Sequence, residues 1–290
     1  MPLKVPFEFK TPAKVNFYLR IQEKRNDGYH NLLLDLIPVS LFDHIRIENA
    51  PSGIYELNSS MDLGSPGKNL ITRAVRLLEK EANITLPIRV TLTKNIPVGA
   101  GLGGGSGNAG GILVVLNRLF KLGLSTRKLL YLASGLGADV PFFINPVPSR
   151  AWGVGTDIVP IKDFSSIPLL ILYPKIEVKT ADAYRNCRIS SLNKPNFHYD
   201  LEGLRQLEPE WNDFWPYLKR KHEILEALIT LLGREGAIGS GLSGSGSAVF
   251  GVFEDKNQRD RANDHLMSQK NFVCYRCETL DRFVYEDISK

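Results

Sequence analysis

Long apolar runs and paired cysteines are both missing from this chain. No apolar stretch reaches the roughly 18 residues that a membrane span requires, and the first ten residues, MPLKVPFEFK, lack the apolar core of a secretory signal. The three cysteines are too few for a disulfide framework. These absences argue against disulfide-rich secreted proteins and membrane proteins, and they predict a cytoplasmic protein with no membrane partner.

Acidic residues are also missing from one long stretch of the chain. None occurs between Glu81 and Asp139, although the stretch contains six basic residues: Arg89, Lys94, Arg118, Lys121, Arg127 and Lys128. A solvated basic face and a site for an anionic ligand both explain such a pattern. The net charge of +5 suits nucleic acid or anionic small molecules equally well, so the motifs inside the stretch have to decide.

The order of apolar patterns predicts an α+β fold. With 290 residues, 43% of them hydrophobic, the chain can build one large domain or two ordinary ones, and we expect domains at 1–165 and 166–290. Period-2 and period-3.6 patterns predict strands at 14–21, 33–39, 44–47 and 88–94 and helices at 69–82, 108–122, 126–134 and 218–232. Ser125 is the expected N-cap of the helix at 126–134.

A glycine-rich loop, PVGAGLGGGSGNA at 97–109, follows a predicted strand and precedes a predicted helix. Glycines allow backbone amides to approach a phosphate, and a helix N-terminus attracts anions. The loop is not a Walker A motif, because Gly105 is followed by Ser106 and Gly107 instead of Lys and Ser or Thr. A dinucleotide fingerprint would need an acidic residue about 20 positions further on, and none occurs before Asp139. A phosphate loop and a flexible turn both remain open from these residues alone.

The loop resembles the phosphate-binding loop of the GHMP kinases, which reads Pro, three residues, Gly-Leu-Gly and then small residues. GSGLSGSGS at 239–247 resembles the third motif of that family, and GADVP at 137–141 lies between the two. PAKVNF at 12–17 with DGYH at 27–30 resembles the first motif, in the version of members that phosphorylate 4-diphosphocytidyl-2-C-methyl-D-erythritol. The resemblance spans nearly the whole chain. It implies a two-domain GHMP kinase fold, with an N-terminal domain similar to a ribosomal-protein-like fold and a C-terminal α/β sandwich domain.

Two charged residues are the catalytic candidates that the resemblance implies. Asp139 lies among apolar neighbours, where a carboxylate is costly unless it is paired. The resemblance makes it the group that accepts a proton from the substrate hydroxyl, with Lys14 beside it. The alternatives are a turn aspartate bonded to backbone amides and an ordinary strand-edge lysine.

The resemblance implies ATP and Mg²⁺ as cofactors. The residues that it assigns to ATP are Asn69, Lys94, Pro97, Gly99, Gly101, Leu102, Gly103, Gly104, Gly105, Ser106, Gly107 and Asn108. Asn69 could equally be a helix cap, and Lys94 a solvated lysine. Ser106 is the side chain expected to meet phosphate or Mg²⁺, and with no carboxylate cage in view the ion would be held largely by phosphates and water.

The expected partner is a small-molecule substrate carrying a cytidine diphosphate group, without nucleic acid. The residues that the resemblance assigns to this substrate are Asn16, Tyr29, His30, Tyr184, Gly244 and Ser245. Cytosine is expected to stack between Tyr29 and Tyr184, with His30 bonded to the base edge. Core packing is the alternative for these aromatic residues.

Some positions depart from the family pattern. Gly107 stands where a second serine is usual, Gly110 and Gly111 replace alanines, and Asn212-Asp213-Phe214 differs from Asn-Asp-Leu-Glu. We interpret Trp211 and Trp215 as packing around a helix start. Cys274 and Cys277 would point to opposite faces of a strand, so we interpret them as strand cysteines without zinc.

Two other functions remain open at this point. One is a different GHMP kinase, acting on homoserine, mevalonate or a sugar, although such an enzyme needs no cytosine pocket. The other is an RNA-binding module, which would require basic and aromatic residues clustered on a sheet.

Overall fold

The computed structural model describes residues 6–26, 28, 30–187 and 198–289. Within these residues one sheet has seven strands: β1 (Phe7–Val15), β2 (Leu19–Lys24), β3 (His30–Asn49), β4 (Glu56–Ser59), β5 (Ile88–Thr93), β6 (Ser149–Gly153) and β7 (Asp157–Pro160). A second, antiparallel sheet has four: β8 (Pro168–Tyr173), β9 (Gly239–Leu242), β10 (Val249–Val252) and β11 (Val273–Glu278), in the order β11-β8-β10-β9. The α-helices are α1 (Leu70–Ala82), α2 (Gly104–Leu119), α3 (Thr126–Ser134), α4 (Thr180–Asn186), α5 (Leu201–Arg205), α6 (Trp215–Lys221), α7 (Ile224–Arg234) and α8 (Lys256–Leu266).

The long strand β3 organises the larger sheet. Its second half pairs with β1 and β5, and its first half pairs with β2 and β6. The predicted strands at 33–39 and 44–47 are therefore one strand, and the single strand predicted at 14–21 is two, with a break between Val15 and Leu19. Pro38 is compatible with this long strand because it lies close to a register shift in the β1–β3 pairing, where a proline is tolerated.

Helix α2 begins four residues before the predicted start at 108. Glycine lowers helix propensity by about 1 kcal/mol relative to alanine, but here the missing side chains make room for tight packing. A Cβ atom on Gly107 would lie 2.8 Å from the carbonyl oxygen of Pro12, and one on Gly110 would lie 2.6 Å from Cβ of Phe143. The departures from the family pattern are therefore explained by close contact between α2 and its neighbours.

Helices α1 and α3 match their predictions, and the Ser125 hydroxyl accepts a hydrogen bond from the amide of Lys128. The single helix predicted at 218–232 was wrong. It is divided into α6 and α7 because His222, at the end of α6, has a non-helical backbone with φ −137° and ψ 83°. Trp215 opens α6, which confirms its place at a helix start. Helix α4 and strand β9 were not predicted.

The hydrophobic core is shared between the two sheets. Leu34 of β3 and Leu172 of β8 belong to one buried cluster. The C-terminal segment also returns to the larger sheet, since Tyr285 is buried among core residues that include Phe9, and its hydroxyl donates to the carbonyl oxygen of Phe143 at 2.5 Å. The division at residue 165 falls between β7 and β8 and stays a prediction.

Candidate active site

A cavity of about 500 Å³ is lined by residues from both halves of the chain. It brings together most of the residues that the sequence singled out: Lys14, Asn16, Asn69, Lys94, Pro97, Gly99, Gly101, Leu102, Gly103, Gly104, Gly105, Ser106, Asn108, Asp139, Tyr184, Gly244 and Ser245. Gly107 does not line it, because its missing side chain would point at Pro12 and Phe143. Tyr29, with Asp27 of the same motif, lies outside the described residues.

The N-terminus of α2 opens into this cavity. Its N-cap, Gly103, has a left-handed backbone with φ 70°, and no side chain caps the first turn. The first amides of a helix have no partner within the helix, so those of α2 can bind an anion, helped by the helix dipole. The absence of acidic residues from this turn leaves the positive end of the helix uncompensated.

The loop at 239–247 is packed directly against the phosphate loop. The Ser243 hydroxyl donates to the carbonyl oxygen of Gly101 at 3.0 Å, and the Ala248 amide donates to that of Ala100 at 3.1 Å. A Cβ atom on Gly101 would lie only 2.0 Å from the carbonyl oxygen of Ser243. Glycine is therefore required at 101 both by this contact and by its φ of 78°.

Lys14 and Asp139 meet on the cavity wall. Nζ of Lys14 donates to Oδ1 of Asn16 at 2.6 Å and lies 3.6 Å from Oδ2 of Asp139. Lys14 is buried, whereas 33% of the Asp139 side chain is exposed. Within the ranges that the structure describes, no backbone amide donates to the Asp139 carboxylate, so the alternative of an amide-bonded turn aspartate has no hydrogen bond to support it.

Space for the Lys14 side chain depends on two glycines from different motifs. A Cβ atom on Gly103 would lie 3.0 Å from Cγ of Lys14, and one on Gly244 would lie 3.1 Å from its Nζ. Lys14 therefore lies between the phosphate loop and the loop at 239–247, where both can fix the position of its ammonium group.

Lys94 is not the solvated lysine that the sequence left open. Its Nζ lies 2.5 Å from Oδ2 of Asp43, and both side chains are buried. Burial lowers the pKa of Lys94, and the Asp43 carboxylate opposes that shift. Asp43 also accepts from the amides of Asn95 and Ile96, each at 2.8 Å, and so holds the segment that leads into the phosphate loop.

Other charges of the acid-poor stretch are paired in the same way. Arg89 binds Glu56 and Lys128 binds Glu81, each at 2.7 Å. The charges of these residues are therefore balanced by carboxylates that lie outside the stretch in sequence. Asn69 does cap a helix, since its Oδ1 accepts from the amide of Ile71 at 2.8 Å, and it also lines the cavity.

Aromatic residues form the other end of the cavity. Tyr184 packs edge-on against Phe214, with ring centroids 4.9 Å apart at 88°. Among the described residues, its other ring neighbour is His30, stacked at 5.3 Å and 15°. Burial, with the Asp139 carboxylate nearby, raises the pKa of the Tyr184 phenol, so the ring is neutral at physiological pH. The rings of His30 and Tyr184 thus lie face to face. A base could stack on this face of Tyr184 only if the imidazole of His30 moved aside.

Sequence reasoning missed several cavity residues. They are the apolar side chains Leu63, Leu70, Ile71 and Leu92 beside Asn69 and Lys94, and, near Tyr184, Thr180 and Phe214. The Thr180 and Ser245 hydroxyls are hydrogen bonded at 3.0 Å. Of these residues only Thr180 could have been recognised from the sequence, because it lies close to Tyr184. The apolar residues have the pattern of ordinary core residues.

The described part of the chain offers little support for a metal site, a membrane-spanning helix or a reactive thiol. It contains no group of three or more His, Cys, Asp or Glu side chains able to hold a metal. None of its helices has the length and apolar character to cross a membrane. Cys274 and Cys277 lie on β11 as free thiols, and burial raises their pKa values to about 11 and about 12, so neither is a reactive thiolate.

Comparisons with known proteins identify the family. The profile of the GHMP kinases N terminal domain matches residues 69–145, and that of the GHMP kinases C terminal domain matches residues 198–270. A 4-diphosphocytidyl-2-C-methyl-D-erythritol kinase of Syntrophus aciditrophicus is 33% identical, with 93% of this chain and 98% of the relative covered. The chain belongs to the GHMP kinases, in the family of that relative.

Further relatives agree with this assignment. The kinase of the same name from Bacteroides thetaiotaomicron is 38% identical, over 83% of this GHMP kinase and 90% of the relative. A crystal structure of 4-(cytidine 5'-diphospho)-2C-methyl-D-erythritol kinase matches with a TM-score of 0.79 and 32% identity, covering 94% of this chain and 98% of that one. The mevalonate kinase of Methanococcus jannaschii has a TM-score of 0.73 at 13% identity, over 96% and 100% of the two chains, and shares the fold. The predicted two-domain GHMP kinase fold is confirmed.

Proposed function

We propose that this GHMP kinase transfers the γ-phosphoryl group of ATP to the 2-hydroxyl of 4-diphosphocytidyl-2-C-methyl-D-erythritol. The observation that carries the proposal is that one cavity contains both an uncapped helix N-terminus and the Lys14–Asp139 pair. The first is suited to polyphosphate and the second to a hydroxyl that must lose a proton. The names of the relatives supply the acceptor.

Asp139 is the group that accepts the proton of the acceptor hydroxyl. Its carboxylate is the only acidic side chain among the described residues that line the cavity, and part of it is open to that space. Lys14 places a positive charge beside this carboxylate and beside the transferred group, where negative charge is spread in the transition state. Asn16 directs the lysine, because its Oδ1 accepts from Nζ.

The phosphates of ATP lie at the N-terminus of α2, where Gly101, Gly103 and Gly104 line the cavity. Mg²⁺, when bound to them, neutralises charge on the phosphate oxygens. The protein oxygens in the cavity that fit such an ion are the Ser106 hydroxyl and the Asp139 carboxylate. That small donor set suits an ion held mainly by phosphates and water.

The cytidine end of the acceptor lies against Tyr184. Tyr184 offers a neutral ring on the cavity wall, and His30 lies beside it with nitrogen atoms able to bond a base edge once the two rings separate. The pairing of Tyr184 with Tyr29, the division into domains 1–165 and 166–290, and a cytoplasmic location stay predictions. A cavity lined mainly by glycines and apolar side chains does not favour the RNA-binding alternative, which needs an open basic surface.

ADP release with candidate acceptors tests the proposal. Purified protein with ATP and Mg²⁺ is expected to release ADP with 4-diphosphocytidyl-2-C-methyl-D-erythritol and not with mevalonate or homoserine. The Asp139→Asn protein serves as the control for contaminating kinases. Equal ADP release with mevalonate or homoserine, with none for the cytidyl alcohol, would show that the acceptor is wrong while the GHMP chemistry is right.

A further inference from the structure

Three consecutive residues before α6, Asn212, Asp213 and Phe214, connect parts of the molecule that meet at the cavity. All three side chains are buried. None of them was assigned a role in the reaction by the sequence analysis. Each contacts a different element, and the contacts of Asn212 lead directly to the catalytic lysine.

Both the nitrogen and the oxygen of the Asn212 side-chain amide form hydrogen bonds with the backbone. Its Nδ2 donates to the carbonyl oxygens of Leu242 at 2.9 Å and Gly244 at 2.8 Å, and its Oδ1 accepts from the Phe214 amide at 2.9 Å. Leu242 and Gly244 flank Ser243, whose hydroxyl bonds the phosphate loop. Asn212 therefore holds the loop at 239–247 from both sides of its contact with the phosphate loop.

Gly244 transmits this anchoring to the reaction centre. A Cβ atom placed on it would lie 3.1 Å from Nζ of Lys14 and 3.0 Å from the carbonyl oxygen of Gly101. A small displacement of Gly244 would thus alter the space around both the ammonium group and the phosphate loop. A misplacement of about 1 Å can cost about 10²-fold in rate.

Asp213 and Phe214, which follow Asn212 in the chain, fix the position of Asn212. The Asp213 carboxylate accepts from the Ile21 amide and from Nη1 of Arg20, each at 2.7 Å, which binds the segment to β2. Phe214 packs on Tyr184. The position of Asn212 is therefore set by the larger sheet, the same sheet that carries Lys14 on β1.

We infer that Asn212 is a positioning residue for the phosphoryl transfer step. It holds the Gly244 turn against Lys14 and the phosphate loop, so that its loss affects catalysis through Lys14 and leaves the binding of ATP largely intact. This inference rests on the proposed kinase function, since it concerns the same cavity.

The decisive experiment is a double-mutant cycle between Asn212→Asp and Lys14→Met. Aspartate has nearly the shape of asparagine, but it replaces an N–H donor by an oxygen that faces two carbonyl oxygens. Alone, it is expected to lower kcat by roughly 10- to 100-fold with the KM for ATP nearly unchanged. In the Lys14→Met background the same change is expected to lower kcat much less, because residues that act as one unit are not additive.

Asn117→Asp is the matched control. Asn117 also bonds backbone on both sides of its amide, to the carbonyl oxygen and amide of Leu124, but it does not line the cavity. This control is expected to lose thermal stability without losing kcat. Asn212→Leu, which cannot repel the carbonyl groups, takes the place of the aspartate variant if that variant does not fold.

Either of two results would overturn the inference. One is an unchanged kcat for a folded Asn212 variant, and the other is an equal fall in kcat with and without Lys14. The cycle uses whichever acceptor the wild-type enzyme phosphorylates. A failure of the cytidyl alcohol as substrate is seen in the wild-type arm alone, and a failure of the positioning role is seen only in the ratios between variants.

Discussion

Lys94–Asp43 and Lys14–Asp139 are both lysine–aspartate pairs at the wall of one cavity, but their geometry differs. In the first pair the charged atoms are 2.5 Å apart, both side chains are buried, and the carboxylate also accepts two backbone amides. In the second the distance is 3.6 Å, and a third of the aspartate is exposed. The first carboxylate is buried and accepts from three donors, whereas the second has oxygens exposed towards the cavity.

This difference indicates that the Lys94–Asp43 pair stabilises the fold, whereas the Lys14–Asp139 pair takes part in the reaction. Desolvation is costly for a buried pair, and only close contact and additional hydrogen bonds offset it. A buried carboxylate satisfied in this way is not accessible to a substrate hydroxyl. Asp139, with Lys14 at a longer distance, remains accessible from the cavity, which is what a general base requires.

The largest expected effect comes from removing the reactive carboxylate. Asp139→Asn should lower kcat by about 10²–10⁴-fold, the usual range for a general base. Thermal stability should change little, because the side chain reaches water. Steady-state kinetics and thermal unfolding of the same preparation measure the two quantities, and a fully active variant would leave Asp139 without a catalytic role.

The structural pair should behave in the opposite way. Lys94→Met leaves the buried Asp43 without its cation, and breaking a buried pair costs about 3–5 kcal/mol in the free energy of unfolding. Lys14→Met is the matched comparison. It should lower the free energy of unfolding much less than Lys94→Met does, and it should lower kcat much more. Urea unfolding of both variants measures this, and equal losses of stability would remove the distinction between the two pairs.

An uncharged residue of the same cavity gives the smallest effect. Stacking of a base on an aromatic ring contributes about 1–3 kcal/mol, so Tyr184→Ala should raise the KM for the cytidyl alcohol by about 5- to 150-fold. The kcat should stay nearly constant, because cytosine is distant from the transferred phosphoryl group and its binding stabilises ground and transition states alike.

Tyr184→Phe is the control for this last variant, because it keeps the ring and should be close to wild type. Steady-state kinetics in which ATP and the cytidyl alcohol are varied in turn distinguish a base-stacking role of Tyr184 from a packing role. If alanine and phenylalanine behave alike, or if the loss falls on ATP, Tyr184 only packs against Phe214.

The comparison also explains which features could be predicted from the sequence. Lys14, Asp139 and the glycine loops lie in short local patterns, and the helix at 69–82 has a clear apolar period. Asp43 could not be found, because it lies 51 residues from Lys94 and its role depends on pairing between β3 and β5. The close contacts of Gly107 were equally hidden, because they depend on the packed positions of Pro12 and Phe143, which are distant in sequence.

Tyr285 has a consequence for the order in which the chain folds. Its ring closes the core beneath α2, where a Cβ atom on Gly111 would lie 3.0 Å from Cε1 of Tyr285. During synthesis the N-terminal part of a protein generally folds first. Here the seven-stranded sheet and α2 leave the ribosome long before residue 285, so their core has a gap throughout translation. We therefore expect the final packing of α2, and with it the phosphate loop, to form only after Tyr285 has been made.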